Sequence, residues 1–146
     1  MANSNLVTAI NAICDKTITV GGVAIAGIRP ANMAPQMHVV PCHFIPLSGI
    51  QVNVQRISMG GRQRFEYTVR HLMLYKSVAQ NKLDDTFPQL LAYIAALPDA
   101  LNTVTLPSSI AIQSINQAET GVITYPLDGD VSFASVEVPI VLIESV

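Results

Sequence analysis

Residues 56–77, RISMGGRQRFEYTVRHLMLYKS, hold the pattern that decides the fold. Side chains alternate through 63–77, which predicts a long strand with one polar face in its first half and two apolar faces in its second half. The paired glycines of 59–62, MGGR, predict a tight turn because glycine adopts the positive φ that short hairpins need. Residues 50–58 also alternate, with a bulge expected near Ile57. The two segments therefore predict an antiparallel β-hairpin.

A helix and a first strand pair or bent strand are expected before this hairpin. Residues 4–16, SNLVTAINAICDK, predict an amphipathic helix capped by Ser4 or Asn5. Its apolar face is formed by Leu6, Ile10, Ile13 and Cys14. A β-branched run interrupted by Gly21-Gly22 predicts either a strand pair or a bent strand near 17–28.

Prolines dominate the segment 29–48, where they stand at positions 30, 35, 41 and 46. Proline donates no backbone hydrogen bond and fixes φ, so neither a regular helix nor a central strand is expected here. The best strand candidate is residues 37–40. We therefore interpret the segment as extended and irregular.

A second helix is predicted after the hairpin, in DTFPQLLAYIAALPDAL. Asp85 or Thr86 is the expected cap, and Pro88 falls in the first turn, where proline is tolerated. Pro98 is expected to end or kink the helix. The predicted buried stripe comprises Phe87, Leu90, Leu91, Ile94 and Leu97.

Strand patterns fill the last third of the chain, at 109–115, 121–125 and 131–143, with a turn at 126–130. Together with the two helices they predict an α+β fold, in which a mostly antiparallel mixed sheet is flanked by an N-terminal and a mid-chain helix. We expect one domain spanning residues 1–146, since no repeat or linker divides the chain.

The composition is apolar and poor in charge. Charged residues make up 12% of the chain and apolar residues 50%, whereas soluble domains carry about 25% charged residues. This imbalance predicts that part of the surface is buried against other chains. The net charge of −2 predicts no general affinity for polyanions.

No membrane partner is expected, because the longest apolar run, TITVGGVAIAGI, is shorter than the roughly 20 residues of a spanning helix. The start of the sequence, MANSNLV, lacks the basic and apolar regions of a signal peptide. We therefore expect a cytoplasmic protein, in which Cys14 and Cys42 are reduced thiols packed as small hydrophobes.

Catalytic and cofactor-binding patterns are missing from the sequence. The turn at 59–62 lacks the glycine spacing, the Lys-Ser/Thr pair and the following helix of a phosphate loop. One metal-like spacing remains, the His38, Cys42 and His43 cluster, and a zinc ion there would need a further donor such as His71. We interpret this cluster as polar caps in a proline-rich loop, and expect no catalytic metal, no cofactor and no enzymatic activity.

Arginine is concentrated around the hairpin, which holds four of the five arginines in the chain. Arg56, Arg62 and Arg64 are expected at or beside its tip. They could contact an acidic neighbouring subunit or DNA, or could simply keep the hairpin soluble and discourage edge pairing. Arg70 lies further along the strand, and we expect it to pair with Glu66 or with a carboxylate on a neighbouring strand. Phe65 and Tyr67 alternate onto the predicted core face, which disfavours a stacking platform for nucleic acid.

The order of these segments resembles the tail terminator (tail completion, or neck) proteins of long-tailed bacteriophages. The resemblance covers nearly the whole chain: an N-terminal helix, a proline-rich segment, the basic hairpin running into RHLMLYKSV, the helix DTFPQLLAYIAALPDAL, and the closing pair GVITYPLDGDVSFASVEVPIVLIES. None of these pieces is a sharp motif, and no family catalytic residues are carried over.

The resemblance implies a structural role in the virion. Such proteins form a ring, typically a hexamer, on the last ring of the tail tube, where they stop its growth. The other face of the ring receives the head-closure or connector proteins, and genomic DNA later passes through its centre. The implied partners are therefore further copies of the chain, the tail tube protein and the connector, with assembly in the host cytoplasm.

Two alternatives remain open from the sequence. The chain could be another neck or tail subunit, of the head-closure or tube type. It could instead be a small ligand-binding domain or enzyme that uses the His38–Cys42–His43 region. The mass of the purified protein separates the ring-forming class from the monomeric one.

Overall fold

A computed structural model describes residues 2–32, 40–56, 63–78, 85–126 and 130–145 of the chain. The helices are α1 (Ala2–Cys14) and α2 (Phe87–Asn102), with a 3-10 turn at Pro30–Asn32. The strands are β1 (Ile18–Val20), β2 (Val23–Ile28), β3 (Cys42–Phe44), β4 (Gln51–Arg56), β5 (Gln63–Ser77), β6 (Ile110–Ile115), β7 (Glu119–Pro126) and β8 (Asp130–Ser145). The predicted α+β class is confirmed. Neither described helix is long and apolar enough to span a membrane.

Two long strands, β5 and β8, form the centre of the sheet and pair antiparallel along most of their length. β4 and β3 pair with successive parts of β5 on the side away from β8. β6 and β7 pair with successive parts of β8 on the side away from β5. β2 pairs with β3, and β1 pairs with β2. Among the described strands only the β2–β3 pair is parallel, as expected for a mostly antiparallel mixed sheet.

The main core fills one face of the sheet, which α1 and α2 cover. Alternate residues of β5 and β8 point into it because successive side chains of a strand lie on opposite faces. The fully buried members with large side chains are Ile10, Ile13, Ile25, Ile45, Met73, Leu90, Tyr93, Leu97, Ile140 and Leu142. Tyr67 is buried and Phe65 half-buried on this face, as predicted from their alternation.

The opposite face holds a second, smaller apolar cluster. Its buried members are Cys42, Phe44, Leu72, Leu74 and Phe133. Because β5 has apolar residues on both faces from Leu72 to Leu74, the sheet is buried on both sides at this end. The prediction that the second half of β5 lies deeper than the first is therefore confirmed.

The N-terminal helix begins before the expected caps, at Ala2. Ser4 and Asn5 lie within the helix, so the predicted N-cap is wrong. Asn5 instead donates from Nδ2 to Glu144 Oε2 at 3.0 Å and to Ser109 Oγ at 3.1 Å. The expected apolar face is confirmed, since Ile10, Ile13 and Cys14 are fully buried and Leu6 packs against them.

Gly27 allows the end of α1 to lie directly on β2. A Cβ atom at this position would stand 1.6 Å from the carbonyl oxygen of Cys14 and 2.8 Å from Cε1 of His43.

The turn before β2 uses the predicted glycine pair, with φ of 58° at Gly21 and 82° at Gly22. Just beyond β2, Arg29 pairs with Asp15, and this hydrogen-bonded pairing lowers the pKa of the Asp15 carboxyl.

A central strand crosses the proline-rich segment, contrary to our expectation. β3 lies between β2 and β5 and spans only Cys42–Phe44, with Pro41 before it and Pro46 after it. The prolines flank the three residues that pair, so no ladder hydrogen bond is lost. Val40 is not part of a strand.

The second helix begins after its cap, Thr86, with Pro88 in the first turn as predicted. It continues through Pro98 to Asn102, so of the two predicted effects of Pro98, an end or a kink, the end is wrong. The predicted stripe is wrong in part: Leu90 and Leu97 are buried and Ile94 is half-buried, whereas Phe87 and Leu91 are 42% and 48% exposed. The residues that bury this helix are Leu90, Tyr93, Leu97 and Leu101.

Several expectations fall outside the described residues. These are the strand candidate at 37–39, the bulge at Ile57, the turn at 59–62 and the centre of the turn at 127–129. In the described strands next to these two segments, Arg56 pairs with Gln63 and Pro126 pairs with Asp130.

Candidate functional site

β4 is an exposed edge strand. Together with Gln63–Thr68 of β5 it forms the part of the hairpin that we call the arm, and the arginine cluster begins at the end of this arm. β4 pairs antiparallel with Gln63–Thr68 of β5, and no other strand of the described chain pairs with it. Residues 51–54 are all exposed. Val52 and Val54 are each 54% exposed, and they lie on the same face as Tyr67 and Phe65. Within the described ranges, the arm therefore presents apolar side chains and unpaired backbone groups at the same edge.

The three arginines of the candidate site have different positions. Arg56 is the last residue of β4 and stands opposite Gln63, near the end of the arm as predicted. Arg62 lies outside the described residues. Arg64 is half-buried on β5, where its Nη2 lies 3.5 Å from Oε1 of Glu66.

A polar cluster surrounds Arg64 on the face of the sheet opposite the helices. The amide of Gln113 on β6 bridges the Arg64–Glu66 pair when its oxygen accepts from Arg64 Nη2 at 3.3 Å and its nitrogen donates to Glu66 at 3.0 Å. Asn53 donates to the other carboxylate oxygen of Glu66 at 3.3 Å. Arg64 thus has its counter-charge within its own chain, while its Nε atom is buried without a partner in the described chain.

Arg70 makes the cross-strand ion pair that the sequence predicted. Its Nε lies 2.5 Å from Oε1 of Glu137 on β8. Of the two expected partners, the carboxylate on the paired strand is the correct one, because Glu66 pairs with Arg64 instead. The pair is half exposed, so its contribution to stability is small.

A shallow groove of about 580 Å³ runs across the same polar face. It is lined by Gln51, Val52, Asn53, Glu66, Thr68, Gln113, Ser114 and Val141, which belong to β4, β5, β6 and β8. Amide and hydroxyl groups dominate this lining, and Glu66 is its one charged member. Such a surface suits polar contacts with another chain better than the binding of an apolar small molecule.

The residues of the candidate metal cluster do not converge. Cys42 packs in the apolar cluster with Leu74, whereas the next residue, His43, points to the helix side of the sheet. Neighbouring residues of a strand lie on opposite faces, so these two side chains cannot bind the same ion. His38 lies outside the described residues. Within the described chain, no three His, Cys, Asp or Glu side chains come together as metal ligands.

Both cysteines are buried free thiols. Burial raises the pKa of Cys14 to about 11, and it raises the pKa of Cys42 to the same value. A thiol with such a pKa stays protonated at neutral pH and is a poor nucleophile. This agrees with the expectation that both cysteines pack as small hydrophobes.

A buried polar cluster that the sequence did not reveal joins β3, β5 and α2. His43 and His71 are fully buried, with ring centroids 5.0 Å apart. His43 Nε2 donates to the backbone carbonyl of Lys16, and His71 Nε2 lies 2.5 Å from the hydroxyl of Tyr93. Burial lowers the pKa of His43 and lowers that of His71 further, so both rings are neutral. The only sequence signal was the placement of His71 and Tyr93 among apolar neighbours.

A second buried polar cluster centres on Glu144 of β8, which is fully buried. Its carboxylate accepts hydrogen bonds from Tyr67 at 2.8 Å, from Asn5 at 3.0 Å and from Ser109 at 3.4 Å. Burial, together with the hydrogen bond to Glu144, raises the pKa of Tyr67 to about 12. These contacts tie α1 and the start of β6 to the centre of the sheet.

Comparison of the sequence with protein-family models and with curated proteins finds no match.

Proposed function

We propose that this chain is a structural subunit of a bacteriophage tail, and that its copies form a ring, typically of six, on the end of the tail tube. The ring stops tube growth and offers its other face to the head-closure or connector protein. Genomic DNA passes through it without being held. In this role the protein belongs to the virion, is assembled in the host cytoplasm and catalyses no reaction.

The observation that carries this proposal is the exposed edge of β4, whose first five residues carry no charge. Val52 and Val54 are more than half exposed beside backbone groups that no described strand pairs. Soluble proteins normally protect such edges, because they template pairing with another chain. The low charge of the whole sequence supports the same conclusion, since a surface with few charges is best kept dispersed when part of it is buried in an assembly.

The order of elements also supports the proposal. α1 is followed by the proline-rich segment, the β4–β5 arm, α2 and the closing β7–β8 pair, which is the order on which the resemblance to tail terminator proteins rests. That resemblance is one of architecture, and it supplies the tube and connector as the partners to be tested.

The surroundings of Arg64 favour a protein contact over a DNA contact for the arm. Its charge is already balanced by Glu66, so it adds little to an unpaired ring of cations. Such a ring would bind phosphates and hinder the passage of a duplex. We therefore assign Arg56 and Arg62, with Arg64 in a supporting position, to contact with an acidic neighbouring chain.

Tube polymerisation in the presence of the purified chain tests this function. Tail tube protein is allowed to polymerise alone or with the chain added in increasing amounts, and tube lengths are measured by negative-stain electron microscopy. We expect shorter tubes that carry extra density at one end. Unchanged lengths and bare ends would contradict the terminator role. Binding to a connector protein but not to tubes would instead favour the head-closure type of neck subunit.

A further inference from the structure

We propose that β4 of one copy of this chain pairs antiparallel with β6 of the next copy, so that the sheet continues from subunit to subunit. This inference rests on the self-assembly proposed above, and it names the surface through which assembly occurs. The partner surface is a second copy of the same chain.

Four strands have an outer edge that is free within the described chain, and two of these edges are protected. β1 is only three residues long. β7 begins with the charged Glu119 and ends with Pro126. Short length, charge and proline are the usual devices that prevent edge pairing.

The other two edges, β4 and β6, contain no proline and carry one charge between them. β6 has the sequence IAIQSI, without charge or proline, and its Ala111 and Gln113 are exposed. β4 has the sequence QVNVQR, in which the only charge is at the last residue, Arg56. The two unprotected edges lie at the same level of the sheet, because both adjoin the end where Gln63–Thr68 of β5 pairs with β8.

Strand directions allow one edge to join the other. β4 is antiparallel to β5, β5 to β8, and β8 to β6. β4 and β6 therefore run in opposite directions at opposite ends of the four-strand row. A second copy placed beside the first, with its helices on the same side, brings its β6 antiparallel to β4.

The register keeps apolar residues with apolar residues in this arrangement. One row of paired residues crosses the sheet as Val52, Tyr67, Leu142 and Ile112. Continuing the row places Val52 of one copy beside Ile112 of the next, on the helix side. The adjacent row, which ends in Asn53 and Ala111, continues on the polar side. Pairing thus removes the exposed valines from water, which is favourable.

Pairing of β4 with β4 of a second copy is the competing arrangement. It would cover one edge of each subunit and leave β6 unprotected in both. Pairing of β4 with β6 covers both unprotected edges of every subunit when the ring closes. This difference, together with the matched directions, is why we assign β6 as the partner of β4.

Disulfide cross-linking of the double variant Asn53→Cys/Ala111→Cys tests the pairing. Within one chain these positions are separated by three strand spacings, about 14 Å, whereas a disulfide requires Cα atoms within about 7 Å. Any disulfide between them must therefore join two copies. After oxidation of the assembled protein, a non-reducing gel should show a ladder of covalent multimers. The unsubstituted chain, with Cys14 and Cys42 buried, should show none.

Other cysteine pairs distinguish the possible contacts. If neighbouring copies are offset by two residues, Asn53→Cys/Gln113→Cys should give a stronger ladder than Asn53→Cys/Ala111→Cys. That result still supports pairing with β6. Asn53→Cys/Thr124→Cys places the second thiol on β7 and should give no ladder. An equal ladder from that control would overturn the inference, and so would dimers formed by Asn53→Cys alone, since these would indicate β4–β4 pairing.

A charge substitution provides a second readout that needs no disulfide. Val54→Lys should block assembly by placing a charge on the β4 edge, whereas Val7→Lys, at a 45% exposed valine of α1, should leave assembly intact. Circular dichroism of both variants checks whether they are folded. If the unsubstituted chain assembles but neither β6 cysteine gives a ladder and Val54→Lys also assembles, the edge pairing is wrong while the proposed self-assembly stands. If the unsubstituted chain is monomeric even with tube protein, both proposals fail.

Discussion

The Nε2 atom of His71 lies 2.5 Å from the hydroxyl of Tyr93, joining the centre of the sheet to the middle of α2. Both residues are fully buried, and their rings are stacked with centroids 6.0 Å apart. The centroid of the second buried histidine ring, His43, lies 5.0 Å from that of His71. Since the Nδ1 atoms of both histidines have no partner in the described chain, neither ring can gain a proton without leaving an unpaired charge in the core.

We predict that the fold loses stability as the pH falls below about 6.5, the ordinary pKa of histidine. The folded-state pKa of each ring is lowered by burial, so the unfolded chain binds protons that the folded chain does not. The stabilising contribution is fully present above the unfolded pKa and declines below it. Each ring contributes a slope of up to about 1.4 kcal/mol per pH unit.

Urea unfolding between about pH 7.5 and 5, a range that brackets the ordinary pKa of histidine, measures this slope. His71→Gln keeps a polar side chain near Tyr93 but cannot titrate, so it should reduce the pH dependence by up to about half. An identical slope in His71→Gln and the unsubstituted chain would contradict the assignment.

Tyr67→Phe should lower the free energy of unfolding by about 1.5–3 kcal/mol, the usual range for a hydrogen bond to a charged group. The substitution removes the 2.8 Å hydrogen bond from a carboxylate, Glu144, that is fully buried. Tyr75→Phe is the matched control, because the Tyr75 hydroxyl makes no hydrogen bond within the described chain. Equal stability of the two variants in chemical denaturation would show that the Glu144 cluster does not depend on Tyr67.

Gly27→Ala should destabilise the fold by about 3 kcal/mol, at the upper end of the usual cost of overpacking. The added Cβ would clash with the backbone carbonyl of Cys14, which cannot move without displacing α1. Gly121→Ala is the control, since a Cβ there meets nothing within 4 Å. Thermal unfolding should show a large loss for the first variant and little change for the second. A mild effect at Gly27 would mean that α1 does not lie against β2 as described.

Alanine substitution of Arg56, Arg62 and Arg64, the arginines predicted at or beside the hairpin tip, should impair tail assembly or head joining in a complementation assay. Arg70→Ala should have little effect, because Arg70 is engaged with Glu137 on the surface of its own subunit. Full infectivity and normal tail length in the triple variant would leave the arginines only a role in keeping the arm soluble.

Local patterns predicted the hairpin strand and the end of the chain well. Residues 63–77 were expected as one strand from their alternation, and β5 spans Gln63–Ser77. The glycine pair before β2 was equally clear, because Gly21 and Gly22 both have positive φ in a short turn. In these segments the local preference and the tertiary environment act in the same direction.

Predictions failed where tertiary packing outweighed a local signal. α2 continues past Pro98 because Leu97 and Leu101 are both buried, and their burial offsets the hydrogen bond that proline removes. β3 was missed because three residues between prolines carry almost no periodic signal, although they pair on both sides. Its position depends on β2 and β5, which are distant in sequence.

The buried polar clusters could not be predicted because they join residues far apart in the chain. Tyr93 is absent from the predicted helical stripe, yet it is fully buried, and His71, 22 positions away, provides a partner for its hydroxyl. Glu144 similarly meets Tyr67, 77 positions away. The candidate site was accessible to prediction only in part: alternation predicted the arm, but it did not predict that Glu66 balances Arg64.

The mass of the purified chain in solution tests self-assembly most directly. Light scattering should be measured on the protein alone and after mixing with tail tube protein, in both cases at neutral pH. We expect a discrete species several times the 15.7 kDa mass of the chain, near six copies if the ring is a hexamer. A chain that stays at 15.7 kDa alone and does not join tubes would contradict the proposed ring.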